Sequence, residues 1–336
     1  MKPTVFRSFA AAAFGLVAAT ALPGQDQATH LAAACQKADV LVVATVTATT
    51  DPSPEWHRLE FRADDVLRGN PGATFALMEP AGACCGRSLF ALAEGEQRLL
   101  LLQRTGAVLH PFGGGRGVLP VRPAVLAHVR ALLQANTDAQ RTAVLLAALA
   151  GDEPRLADDA AHALAAMPQL ALDAGARTRV ATALRAAVEL GSPRAAALLD
   201  VAVRTADAAM LDAVLPLYLG TPRADQARLL RSGLARVPSA LAIGRLPGLC
   251  GGDRDRELRA AELLCAFGDA NATAALSSLL ATTQNPRVQL CAAEGLLAAG
   301  TDAAALRARV PARVLALAQR RAAGRPLFRA IPDDLR

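Results

Sequence analysis

Two stretches of the C-terminal half repeat one another. AAELLCAFGDA begins at residue 260 and AAEGLLAAGTDA at residue 292, and the glycines that close them, Gly268 and Gly300, lie 32 residues apart. A unit of that length is too small to bury its own apolar face, so successive units must stack, and the chain that results is a solenoid. Start signals recur with similar spacing at Pro154-Arg155, Pro193-Arg194, Pro222-Arg223, Asp253-Arg254 and Pro286-Arg287. Proline suits the first turn of a helix, where its missing N–H costs nothing, and glycine suits the position just past the last turn. Between these marks, apolar residues fall at helical spacing, as in Leu290, Ala293, Leu296 and Leu297. About a dozen helices, roughly six pairs, are expected over residues 123–321. Composition agrees: 53% of residues are hydrophobic and only 3% aromatic, and alanine lets helix axes approach closely.

Residues 38–118 have a different period. ADVLVVATVTAT is β-branched and apolar, as in a buried strand. WHRLEFRADDVLRG alternates, with Trp56, Arg58, Glu60 and Arg62 on one face and His57, Leu59, Phe61 and Ala63 on the other. Asn70-Pro71-Gly72 marks a turn, and ATFALMEP, GRSLF, EQRLLLLQ and AVLHPF read as further strands. Five or six short strands with tight turns predict a small closed or nearly closed barrel. The predicted fold class is α+β multidomain, a small OB-like β-barrel followed by an all-α solenoid.

The tract NPRVQLCAAEGLLAAGTDAAALRARV resembles HEAT-like repeats of the phycobilisome-lyase type, in which a Pro-Arg-Val-like start precedes an Ala-Ala-rich helix ending in Gly-Asp. The match is good over 286–310, fair over 154–168 and 254–280, and weak over 169–250. It implies a fold and brings no catalytic residue. Across residues 33–119, Cys35 ahead of ADVLVVATV, then FRADDVLRG, Cys85-Gly86 and EGEQRLLLL resemble a netrin-like domain, the OB-type barrel of tissue inhibitors of metalloproteinases. In that family the early cysteine is disulfide-bonded into the barrel. The resemblance therefore makes Cys35, Cys84 and Cys85 disulfide candidates, Cys35 pairing with one of the other two. Such a bridge closes a loop of about 50 residues and adds a few kcal/mol in the loop-entropy view.

The N-terminus MKPTVFRSFAAAAFGLVAATALPGQDQ has a basic start at Lys2 and Arg7, an apolar stretch from Phe9 to Leu22 and small residues at Ala19 and Ala21. That is the pattern of a secretory signal. The chain is thus expected to divide into a signal peptide (1–24), a netrin-like barrel (25–121), a HEAT-like solenoid (122–323) and a tail (324–336). Export to the periplasm or the cell exterior is expected, with no membrane span, since the apolar stretch falls short of the roughly 20 residues a span needs.

The formal charge is +6, but the arginines are interleaved with acids and the only lysines are Lys2 and Lys37. A nucleic-acid surface needs a clustered basic stripe, so no nucleic-acid partner is expected. The six cysteines include no CxxC and no zinc-finger spacing with the five scattered histidines, so neither a metal nor a cofactor is expected. GGGRG at 113–117 lacks the GK[ST] ending of a phosphate loop and reads as strand-end glycines, leaving Arg116 as a contact for an anion or partner. Asp64-Asp65 and Asp158-Asp159 point apart and cannot act as dyads, and they read as surface charge or caps. Cys265 and Cys291, on apolar helix faces, read as buried thiols. No nucleophile motif is present. The expectation is a non-enzymatic exported scaffold for protein partners. The alternative is an inhibitor of a secreted enzyme acting through the barrel's N-terminal edge, with Cys35 chelating a metal if it stood first in the mature chain.

Overall fold

The computed structural model describes residues 30–53, 56–80 and 92–324. The signal segment, the expected strand GRSLF, Cys84, Cys85 and most of the tail lie outside the described residues. A short helix, α1 (Leu31–Lys37), leads into β1 (Val40–Ser53), β2 (Trp56–Arg68), β3 (Thr74–Pro80), β4 (Gln97–Thr105), β5 (Val108–Pro111) and β6 (Val118–Pro120). The sheet is antiparallel in the order β3-β2-β1-β4-β5, with β6 also paired to β4. Its outer strands β3 and β5 approach each other, so the sheet curls into an OB-like, partly open barrel. Irregularities in the β1–β2 register at Leu41/Val42, Val43/Ala44 and Val46/Ala48 supply bends for that curl.

The unbroken apolar runs of β1 and β4 have a reason: both strands are covered on both faces. Val40, Val42, Leu100 and Leu102 point into the barrel with Leu59, Phe61, Leu77 and Leu109. Leu41, Val43, Leu99 and Leu101 point the other way, into one continuous core with Leu31 of α1, Val125, Val129 and Leu145. A strand buried on one face alternates, and one buried on both does not. The two regions of the chain therefore share apolar core, and α1, absent from the sequence reading, fills the seam. Arg68 at the end of β2 fastens α1 by donating to the carbonyl of Cys35 at 2.7 Å.

The helices are α2 (Pro123–Gln134), α3 (Asp138–Leu149), α4 (Pro154–Ala166), α5 (Ala174–Leu190), α6 (Arg194–Arg204), α7 (Ala208–Gly220), α8 (Ala224–Leu234), α9 (Ser239–Ile243), α10 (Leu246–Cys250), α11 (Arg254–Phe267), α12 (Ala270–Thr282), α13 (Pro286–Ala298), α14 (Ala303–Leu306) and α15 (Ala312–Ala322). Pro154 and Pro286 occupy first helical positions, and Gly268 caps α11 at φ +65°. Pro193 and Arg223 instead sit at the N-caps of α6 and α8. Aspartates do much of the capping: the carboxylates of Asp173, Asp207, Asp253 and Asp269 accept backbone N–H bonds at the starts of α5, α7, α11 and α12. Helices α4, α6, α8, α11, α13 and α15 each touch the next and form one layer. The second layer consists of α3, α5 and α7, continued by α9 and α12. Where the repeat is weakest in sequence, the short α9 and α10 replace full helices.

Candidate functional site

Four successive helices of the first layer, α8, α11, α13 and α15, border a groove of about 630 Å³. Ala266, Gly295 and Ala298 line it with little or no side chain. Its rims carry Arg231, Glu262, Glu294 and Arg321. Arg231 pairs with Glu262 at 2.8 Å, joining α8 to α11, and Arg321 with Glu294 at 3.6 Å, joining α15 to α13. Arg287 of α13 reaches Asp255 of α11 at 3.7 Å. The same device continues outside the groove, where Arg194 of α6 meets Asp158 of α4 at 3.4 Å and Arg236, just past α8, meets Asp200 of α6 at 2.7 Å. The arginines that look dispersed in the sequence thus form a ladder of helix-to-helix ion pairs. Each partly exposed rung contributes little to stability, but together they present a surface carrying both charges.

Two thiols belong to this groove. Cys265 of α11 and Cys291 of α13 bring their Sγ atoms to 3.8 Å, and Cys265 Sγ lies 3.4 Å from the Cys291 carbonyl oxygen. Both side chains are only half-buried. They are free thiols packed on the core, as expected of apolar helix faces, but half-buried rather than buried, and the stacking of α11 on α13 brings them into a contact that their separation in sequence hid.

A second cluster lies at the seam. The rings of His30 and His162 stack at 4.4 Å, and His30 Nδ1 is 3.8 Å from Asp159. Burial, then the neighbouring His162 and Arg116, lower the pKa of His30. Burial raises that of Asp159, against the opposing pull of Arg155. Of the acidic pair Asp158-Asp159, only Asp158 behaves as a surface charge. Asp65 binds Arg130 of α2 at 2.7 Å, and Asp64 is held by Arg62 at 3.1 Å.

Arg116 is exposed on a 3-10 turn (Gly114–Gly117) that runs straight into β6. No helix follows it, so the glycines make a strand-end turn. Cys35 is a free thiol, 3% exposed inside α1, and burial pushes it up to about 12. Its expected partners, Cys84 and Cys85, lie outside the described residues. Among the described residues no group of three or more His, Cys, Asp or Glu is placed to hold a metal ion, and no helix is long and apolar enough to cross a membrane.

No protein-family model, curated protein or solved structure matches the chain.

Proposed function

We propose that the chain is an exported, non-enzymatic scaffold that binds a protein partner along the groove of α8, α11, α13 and α15. The observation that carries this reading is the groove itself: a 630 Å³ channel crossing four stacked helices and lined by the ion pairs Arg231–Glu262 and Arg321–Glu294. A surface with paired charges of both signs suits a polypeptide, which carries both signs itself, better than a polyanion. The N-terminal sequence supports export. The strand order of the barrel and the position of Cys35 ahead of β1 support a netrin-like domain, and the 32-residue recurrence supports HEAT-like repeats. The inhibitor alternative is the weaker one, because Leu31, Ala32 and Ala34 are buried beside Cys35 in α1, and a chain beginning at Cys35 would lose that packing.

The test uses the full chain, because helices and sheet share a core. Immobilised wild type and the double variant Ala266→Arg/Ala298→Arg, which fills the groove from exposed positions, are exposed to proteins of the exported fraction. Partners held by the wild type and lost by the variant are expected. An unchanged set, or none held by the wild type, overturns the proposal.

A further inference from the structure

The geometry points to a site of reversible covalent modification: Cys265 and Cys291 form a disulfide that ties α11 to α13 beside the groove, made and broken by exchange with an external disulfide. Three observations carry it, and none depends on what the groove binds. The first is distance. The two Sγ atoms stand 3.8 Å apart, so forming a bond of about 2.05 Å asks them to close by less than about 2 Å. The second is space made at a cost. Gly295 lies inside α13, where glycine is unfavourable relative to alanine. A Cβ there would stand 2.4 Å from Cys265 Sγ and 3.0 Å from Leu276 Cδ1. Glycine, one turn on from Cys291 on the same face, is what lets the Cys265 sulfur reach α13. The third is access, since both thiols line the groove and are only half-buried. Cys35 and Cys250, by contrast, are buried.

The pair is also chemically unequal. Contact with the Cys291 thiol holds the Cys265 pKa below the ordinary thiol value. The same contact, reinforced by burial, holds Cys291 far above it. Exchange begins with a thiolate, here that of Cys265. It attacks one sulfur of the external disulfide, forming a mixed disulfide at Cys265 and expelling a thiolate. Cys291 then surrenders its proton and attacks Cys265 Sγ, expelling the second thiolate. The protein loses two electrons and two protons, and the external disulfide is reduced to two thiols.

The experiment equilibrates the full chain with mixtures of reduced and oxidised glutathione, traps free thiols with iodoacetamide and maps the peptides by mass. The expected result is a linked Cys265–Cys291 peptide, lighter by two hydrogens, that accumulates as the mixture becomes more oxidising. It persists in Cys250→Ser and vanishes in Cys265→Ser and Cys291→Ser. The oxidised wild type melts at a higher temperature than the reduced one, and neither serine variant shows the difference. Full alkylation of both thiols in the most oxidising mixture overturns the proposal, as does a linked peptide that pairs either one with another cysteine.

Discussion

A methyl group at Gly117 would lie 2.6 Å from the Phe112 carbonyl oxygen and 2.8 Å from that of Leu101. Backbone cannot give way as a flexible side chain can, so the glycine-rich stretch is explained by close packing of the turn onto β4, with Gly113 and Gly114 supplying φ of +66° and +65°. His128 of α2 shows the opposite fault, a polar group in the wrong place. It is 8% exposed, its Nε2 has no hydrogen-bond partner, and burial lowers its pKa. The sign follows from linkage. The unfolded chain takes up a proton near the ordinary value of about 6.5 before the folded chain does. Stability is thus fully present above that value and is lost as pH falls through the lowered folded one. His30 acts in the same direction. Urea midpoints should fall between pH 7 and pH 5, and His128→Leu should raise the midpoint at pH 7 and flatten the fall. A pH dependence unchanged by the variant would contradict this account.

Helix ends are where the arginines matter most. The Arg204 guanidinium, at the end of α6, donates to the carbonyls of Met167 at 2.7 Å, Ala165 at 2.8 Å and Leu164 at 3.1 Å. They lie at the end of α4, where carbonyls run out of helical partners, although that of Leu164 also accepts from the Met167 N–H at 3.2 Å. Arg259 of α11 does likewise for Tyr218 of α7, at 2.7 Å, and Tyr218 Oη donates back to the Arg259 carbonyl at 2.9 Å. Lysine cannot serve three acceptors in a plane. Arg204→Lys should therefore destabilise the protein by about 1–3 kcal/mol in chemical denaturation, whereas a cost near zero would show that water replaces the fork. The Pro-Arg and Gly signals located α4, α11 and α13 correctly because they act within one turn. The ladder and the forks were not legible, because they join residues 27 to 41 positions apart whose partners depend on how the helices stack.

The sheet and the helices cannot be cut apart cleanly. Leu101 is 1% exposed and sits in the core shared by β4, α1 and the first helices. Leu101→Ala should cost about 2–5 kcal/mol. The only tryptophan, Trp56, stands on β2, so its fluorescence reports the sheet while far-UV dichroism reports the helices. Both transitions should shift to lower denaturant together. A shift seen by Trp56 alone would mean that the two regions unfold independently.

The alternation in β2, the double-faced runs of β1 and β4 and the 32-residue recurrence are local periodicities, and a period of two or of 3.6 fixes strand or helix without knowledge of the rest of the chain. They were enough to place a barrel before a solenoid. Stacking decided the remainder. It set His30 against His162, Arg231 against Glu262 and Cys265 against Cys291. It also placed Leu41 and Leu101 on helices rather than in solvent. Each of these contacts joins segments far apart in the chain, and its geometry comes from the packing angles and spacing of neighbouring elements. No local pattern of residues encodes those quantities.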